Sequence, residues 1–230
     1  MANTTKTTRN DRPGIPEDIT VKAIKKWIEP RVSPKRLAHV EGVALVAVEL
    51  AELAGCDPFV AEIGGWLHDA CKEHKEKQLV IEAREFGLQL NAIEEANGHL
   101  LHGPVGALTA KRDLGITDQV LLNAISEHTL GAINMTPLSQ ILFLADCLEE
   151  SRSTDFTDQI WRALGFEPST KSGKKRKFVG PLDMDAAILV ACDLSLRYLL
   201  EDQKVIHPKT VEVRNWYLSK FKERKTEALK

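Results

Sequence analysis

Apolar residues recur along this chain at helical spacing, with no sustained two-residue alternation that would mark strands. From Pro16 the pattern is helical, with Ile19, Ile24, Trp27 and Ile28 repeating until Pro30 stops the run. Ser33-Pro34 then supplies an N-cap and a first-turn proline. The helix that follows reaches Ala54, and Gly55 stops it. Its apolar row is Val43, Val46 and Leu50, and counting back four residues from Val43 places His39 on the core-facing side. Asp57-Pro58 opens a helix in the same way, and this one carries His68 and Asp69. The charged run Glu73–Lys77 reads as a solvated turn, a short helix ends at Gly87, and another runs from Ile93 to Ala96 before Gly98. Leu100–Pro104 opens a helix through Leu108 to Leu114, closed by Gly115. Thr117 or Asp118 caps the next, through Leu121, Leu122 and Ile125 to His128-Thr129-Leu130-Gly131. Thr136-Pro137 opens a helix from Leu138 to Glu149, and two more span Met184–Leu200 and Pro208–Lys225, separated by Lys204–His207. There is no glycine-rich phosphate loop and no internal repeat. The predicted fold is all-α, a helical bundle.

Composition narrows this picture. At 230 residues and 43% hydrophobic, the chain suffices for one sizeable core. The organisation expected is a disordered polar tail over 1–15 and a single domain over 16–230, its C-terminal helices at 184–225. Between them, a basic insertion over 165–182 contains the surface loop Lys171–Lys177. With 31 basic and 33 acidic residues the net charge is -2, which argues against a general nucleic-acid coat, though not against a local basic site. Cys56, Cys71, Cys147 and Cys192 form no C-x-x-C pair and read as reduced core residues. No run approaches the roughly 18 apolar residues of a membrane span, and the N-terminus lacks a signal-peptide core. A soluble, cytoplasmic protein with no membrane partner is expected.

The chemistry gathers at Ile63-Gly64-Gly65-Trp66-Leu67-His68-Asp69, followed by Lys72. An unpaired buried carboxylate is costly, and a metal ion is one of few partners that offset this. His39, His102, His128 and Asp146 each lie in or beside an apolar segment as well. Any one of these histidines alone is more often a hydrogen-bonded core residue than a ligand. Asp146, behind five apolar residues, is either a ligand or half of a buried ion pair with Arg152. Together, four imidazoles and two carboxylates on at least five helices match a two-metal site bridged by Asp69. Nitrogen and oxygen donors without thiolate suit iron first, then manganese or a similar ion such as cobalt. Lys72 is either a phosphate-binding cation or an exposed lysine, and Arg152 either grips phosphate or pairs with Glu149. His74 carries no role, His99 competes with His102 as the interior histidine, and His207 reads as a cap or surface residue.

The ordered set Arg36-x-x-His39, His68-Asp69-x-x-Lys72, His102-Gly103, His128-Thr129-x-Gly131 and Ala145-Asp146 through Glu149 to Arg152 resembles the HD-domain phosphohydrolases. Within them it is most similar to the YqeK-like group of symmetrical diadenosine tetraphosphate hydrolases. The similarity covers Ser33 to Arg152 and resumes over Ile206–Asn215. It departs at Cys147 and Glu150, where the group usually has an aromatic residue and a proline, and the basic stretch is an insertion without counterpart. The resemblance implies an HD-type bundle with a metal-binding core at 33–152 and two divalent or mixed-valence metal ions. His39, His68, Asp69 and Asp146 would hold one ion; His102, His128 and the bridging Asp69 would hold the other. It also implies cleavage of the dinucleoside polyphosphate into two ADP by a metal-bridging hydroxide. Asp69, Lys72 and Arg152 would be catalytic, the last two also gripping substrate, and a homodimer is left open. Two alternatives stay beside it: hydrolysis of another nucleotide or alarmone, and a non-catalytic RNA- or ribosome-associated module using the basic loop.

Overall fold

The computed structural model describes residues 12–167 and 176–227. Among these, eleven α-helices and two short 3-10 turns make up the fold, and one antiparallel bridge, Phe166 with Phe178, is the only extended pairing. The helices are α1 Val21–Ile28, α2 Pro34–Ala54, α3 Pro58–Leu67, α4 Glu76–Glu85, α5 Ala92–Ala96 and α6 His102–Leu114. They continue as α7 Gln119–Glu127, α8 Pro137–Leu148, α9 Thr154–Ala163, α10 Met184–Glu201 and α11 Pro208–Glu227.

The starts follow local chemistry. Ser33, Asp57, Asp118 and Thr136 each accept a backbone N–H of the first turn, and proline sits in that turn of α2, α3 and α8. Gly55 and Gly115 end α2 and α6 in the left-handed region. Helix α1 begins later than its apolar pattern predicts, because Thr20 caps it, and Pro30 falls within a 3-10 turn over Glu29–Arg31. Glu76 and Lys77, expected in a turn, already belong to α4.

Helices α2, α3, α7 and α8 surround a core in which Val43, Leu50, Ile63, Leu67, Leu121, Ile125, Ile141 and Leu142 are essentially unexposed. Burying each such side chain contributes about 1.5–3 kcal/mol. The α2–α3 crossing is close: a Cβ on Gly65 would lie 2.5 Å from the Cα of Ala44. The two backbones touch there, bringing the His39 turn of α2 against the end of α3.

Three expectations need correction. Of the expected tail, residues 1–11 lie outside the described residues, but Arg12 to Ile15 are anchored. Arg12 pairs with Asp57 at 2.6 Å, and the Gly14 carbonyl accepts the Thr117 N–H at 2.7 Å. Of the basic loop, 171–175 lie outside the described residues. Arg176 is not a solvated loop cation: it pairs with Asp158 and lies 5.5 Å from the Trp161 ring. The stem of the insertion is closed by the Glu167 N–H to Lys177 carbonyl bond at 2.9 Å. Helix α9, not among the predicted elements, buries Thr157, Ile160 and Trp161. Among the described residues no helix is long and apolar enough to cross a membrane, and the four cysteines are free thiols.

Candidate metal centre

Five helices deliver the centre. His39 comes from the second turn of α2, His102 opens α6, and Asp146 sits in the last turn of α8. His128 is the residue after α7, and His68 is the C-cap of α3 with Asp69 in the turn beyond. Asp69 therefore does not continue the helix, as the sequence pattern had it; past His68 the chain tightens into a turn, with the Ala70 N–H on the Leu67 carbonyl at 3.1 Å, and both side chains face inward. His68, His102, His128 and Asp69 are buried, and the His39 side chain is only 10% exposed.

Three of the four imidazoles are held by a backbone carbonyl three residues before them. The Nδ1 of His68 bonds the Gly65 carbonyl at 2.6 Å, that of His102 the His99 carbonyl at 2.5 Å, and that of His128 the Ile125 carbonyl at 2.7 Å. His39 uses a carboxylate instead, Glu149 Oε2 at 2.9 Å. A carbonyl can only accept, so in the three carbonyl-bound rings the proton is on Nδ1 and Nε2 presents a lone pair. The Nε2 atoms all turn inward. Those of His39 and His68 are buried without a hydrogen-bond partner. Those of His102 and His128 face each other at 3.0 Å, with the Thr129 hydroxyl 3.0 Å from both. Lys72 Nζ, 3.3 Å from His102 Nε2, is a further donor at this pair.

Asp69 stands between the two pairs. Its Oδ2 lies 3.7 Å from His39 Nε2 and 3.5 Å from His68 Nε2. Its Oδ1 lies 3.3 Å from His102 Nε2 and 3.5 Å from His128 Nε2. Asp146 Oδ1 joins the first pair, 3.2 Å from His39 Nε2. Two groups have donor atoms close enough to share an ion: His39, His68 and Asp146, and His68, Asp69 and His128. Inward ring nitrogens, two of them buried without a hydrogen-bond partner, with one carboxylate oxygen directed at each pair, are what metal ions require.

The protein's own groups also shape the charge of the site. Burial pushes His68 and His102 down to about 4, so both rings are neutral at ordinary pH. Burial opposes a charge on His39 too, yet Asp146, Glu149 and Asp69 prevail and raise its pKa. Asp69 and Asp146 stay ionised despite burial: Arg36 donates to the first, and His39 and Arg152 hold the second down. A pH prediction follows for the metal-free protein. His68 and His102 have folded pKa values below the unfolded 6.5, so their contribution is intact above pH 6.5 and is lost as pH falls toward 4. His39, shifted upward, works in the opposite sense and offsets part of it. Denaturant unfolding should show about 2–3 kcal/mol less stability at pH 5 than at pH 7. A flat profile over that range would mean these rings are not neutral in the fold.

The centre opens into a cleft of about 560 Å³ lined by Lys35, Arg36, Lys72 and Arg152 together with Asp69, Glu73, Asp146 and Glu149. Lys72 is no ordinary exposed lysine. Its Nζ reaches 3.3 Å from His102 Nε2, and burial lowers its pKa. Arg152 pairs with Asp146 at 2.6 Å rather than with Glu149, so the ion pair weighed for Asp146 exists beside its metal-facing geometry. Arg36, given no role by its position in the chain, donates to Asp69 Oδ2 at 2.8 Å. Its partner lies 33 residues away, and nothing local signals the pairing. His99 is exposed, which leaves His102 as the interior histidine. His74 pairs with Glu82 away from the centre. His207 is a buried cap rather than a surface residue: its Nδ1 accepts the Lys209 N–H at 3.1 Å.

The chain is similar to known proteins along most of its length. The family model described as HD domain matches residues 36–151, the span that holds all six inward-facing side chains. A Bacillus subtilis protein named symmetrical bis(5'-nucleosyl)-tetraphosphatase is 30% identical over 193 residues, 84% of this chain and 94% of that one. A Staphylococcus aureus protein of the same name is 27% identical, over 86% of this chain and 95% of its own. A crystal structure from Clostridium acetobutylicum, described as a predicted HD superfamily hydrolase involved in NAD metabolism, superposes with a TM-score of 0.77 at 28% identity. It covers 88% of this chain and 98% of that one.

Proposed function

This chain belongs to the HD-domain family, and on that premise we propose that it is a metal-dependent hydrolase that cleaves diadenosine tetraphosphate symmetrically into two ADP. The observation that supports this most directly is Asp69, one carboxylate oxygen toward each pair of imidazoles at the floor of a cation-lined cleft. His39, His68, Asp146 and Asp69 Oδ2 would hold one metal ion, and His102, His128 and Asp69 Oδ1 the other. Bound there, two ions supply charge to the phosphate oxygens and acidify the attacking water. Iron fits the nitrogen and oxygen donor set, and the reduced cysteines fit a cytoplasmic protein.

The protein's own groups do the rest. A tetraphosphate chain brings several negative charges, and Lys35, Arg36, Lys72 and Arg152 face it from the cleft walls. Arg152 is already held by Asp146 through both its Nη2 and, at 3.1 Å, an Nε bond to the Asp146 carbonyl, which fixes the guanidinium plane. That pre-organisation lets its remaining donors meet phosphate oxygens with little further loss of freedom. Lys72 is a compact charge on a flexible stem at the edge of the His102 pair, poised for a neighbouring phosphate. With two anchors flanking it, the reacting phosphorus is the second from either adenosine, and both halves leave as ADP.

Hydrolysis in heavy-oxygen water should place one label on the terminal phosphate of one of the two ADP molecules. AMP plus ATP would show attack at an outer phosphorus and end the symmetrical assignment. Lys72→Ala and Arg152→Ala should each lower kcat/KM by about 10²–10³-fold with both ions retained, since each removes charge facing the transferring phosphoryl rather than a ligand. Loss of metal from either variant would move that residue from substrate handling to metal retention.

A further inference from the structure

One of the four imidazoles is held differently, and the difference is built from three residues, one on α2 and two in the turn after α8. His39 Nδ1 meets the carboxylate of Glu149, whereas His68, His102 and His128 meet backbone carbonyls. Glu149 is itself constrained. The Ser151 hydroxyl donates to its Oε2, the Ser151 N–H donates to its Oε1 at 3.1 Å, and the residue is only 6% exposed. On α2, Gly42 makes the room: a Cβ there would lie 2.7 Å from Glu149 Cγ and 2.8 Å from Oε1. Any side chain at position 42 would push the carboxylate off His39.

We propose that Glu149, seated by Gly42 and Ser151, is a positioning residue that makes the His39 pocket the tighter of two unequal metal positions. The inference rests on the two-metal reading above. A carboxylate behind an imidazole fixes its ring orientation and raises its basicity more than a neutral carbonyl does. The His39 position has Asp146 and Glu149 besides its share of Asp69, which outweigh Arg36 and Arg152 paired to Asp69 and Asp146, while the His102 position has only its share of Asp69 against the Lys72 ammonium. Charge and basicity thus favour a cation at one end of Asp69 over the other. Glu149 touches neither cleft-bound phosphate nor a reacting atom in this scheme; it acts through His39.

The test is a titration of metal-free protein with Co(II) against a chromophoric chelator, with the cobalt spectrum read alongside. Wild type should take up two ions in two resolved steps. Glu149→Gln should weaken the tighter step about 10–100-fold and leave the weaker within about threefold. Gly42→Ala, a change on another helix that removes no charge and no donor, should give the same selective loss by displacing Glu149. Metal-free melting curves identify any variant that has merely unfolded. Equal weakening of both steps in the two folded variants, or no weakening in either, would overturn the assignment. Ion counts are read without nucleotide, so the two proposals fail separately. Wild type that holds two ions yet leaves diadenosine tetraphosphate intact refutes the substrate and leaves Glu149 standing.

Discussion

An Asp69→Ala protein is expected to purify without either metal ion and to hydrolyse diadenosine tetraphosphate at least about a thousandfold more slowly. Each ion contributes several kcal/mol of charge stabilisation, and a factor of ten is about 1.4 kcal/mol, so the loss of even one accounts for that ratio. Asp69 is singled out because it alone contacts both imidazole pairs, through different oxygens. His39→Ala, by contrast, should chiefly empty one position. The Asp69 substitution also leaves Arg36 without the carboxylate it pairs with at 2.8 Å, so a modest loss of stability accompanies it. Elemental analysis and a product assay decide the matter together. Two ions retained in Asp69→Ala would show that the carboxylate is not the bridge.

The second large effect lies in the scaffold. Gly65→Ala adds one methyl where Ala44 Cα stands 2.5 Å away and Ala44 N 2.9 Å away, with no flexible side-chain tip to yield. Helices α2 and α3 must then separate. Overpacking of this kind costs about 1–3 kcal/mol and more where backbone meets backbone. For a domain of this size, about 3 kcal/mol corresponds to a melting temperature lower by roughly 6–12 °C. Because the same crossing sets His39 against His68, one metal position should weaken in parallel. Gly106→Ala is the control: its added Cβ would meet nothing nearer than 3.8 Å, and alanine suits a helix interior better. Equal stability of Gly65→Ala and wild type would mean the two helices are not locked at that contact.

Much of the fold and of the centre is legible in the amino-acid sequence, wherever the signal is local. Ser33-Pro34, Asp57-Pro58 and Thr136-Pro137 announce helix starts because capping is a matter of three or four consecutive residues. His39 follows from its place four residues before Val43. Helix α9 is a weaker case: Phe156, Ile160 and Trp161 stand at helical spacing, but Ser153 makes no side-chain cap bond and no first-turn proline marks the start. Arg36, Glu149 and Gly42 are another matter. Arg36 finds its carboxylate 33 residues away and His39 finds its own 110 residues away, and no periodicity reports on such partners. The ring tautomers, likewise, are decided by which acceptor each Nδ1 happens to meet.

Those acceptors have a consequence for how the centre tolerates change. Gly65 and Ile125 lie in the final turns of α3 and α7, where backbone carbonyls run out of amide partners. Each ligand three residues further on closes its own helix with its own ring, so metal ligation and helix termination share one hydrogen bond. At these two ligands the centre is assembled from self-contained ends, each aligned by its own last turn, whereas His102 is held from the turn before α6 and His39 by Glu149. Stripping the metal leaves the ends sealed. Deleting a histidine unseals one, and the damage then spreads along the helix behind it.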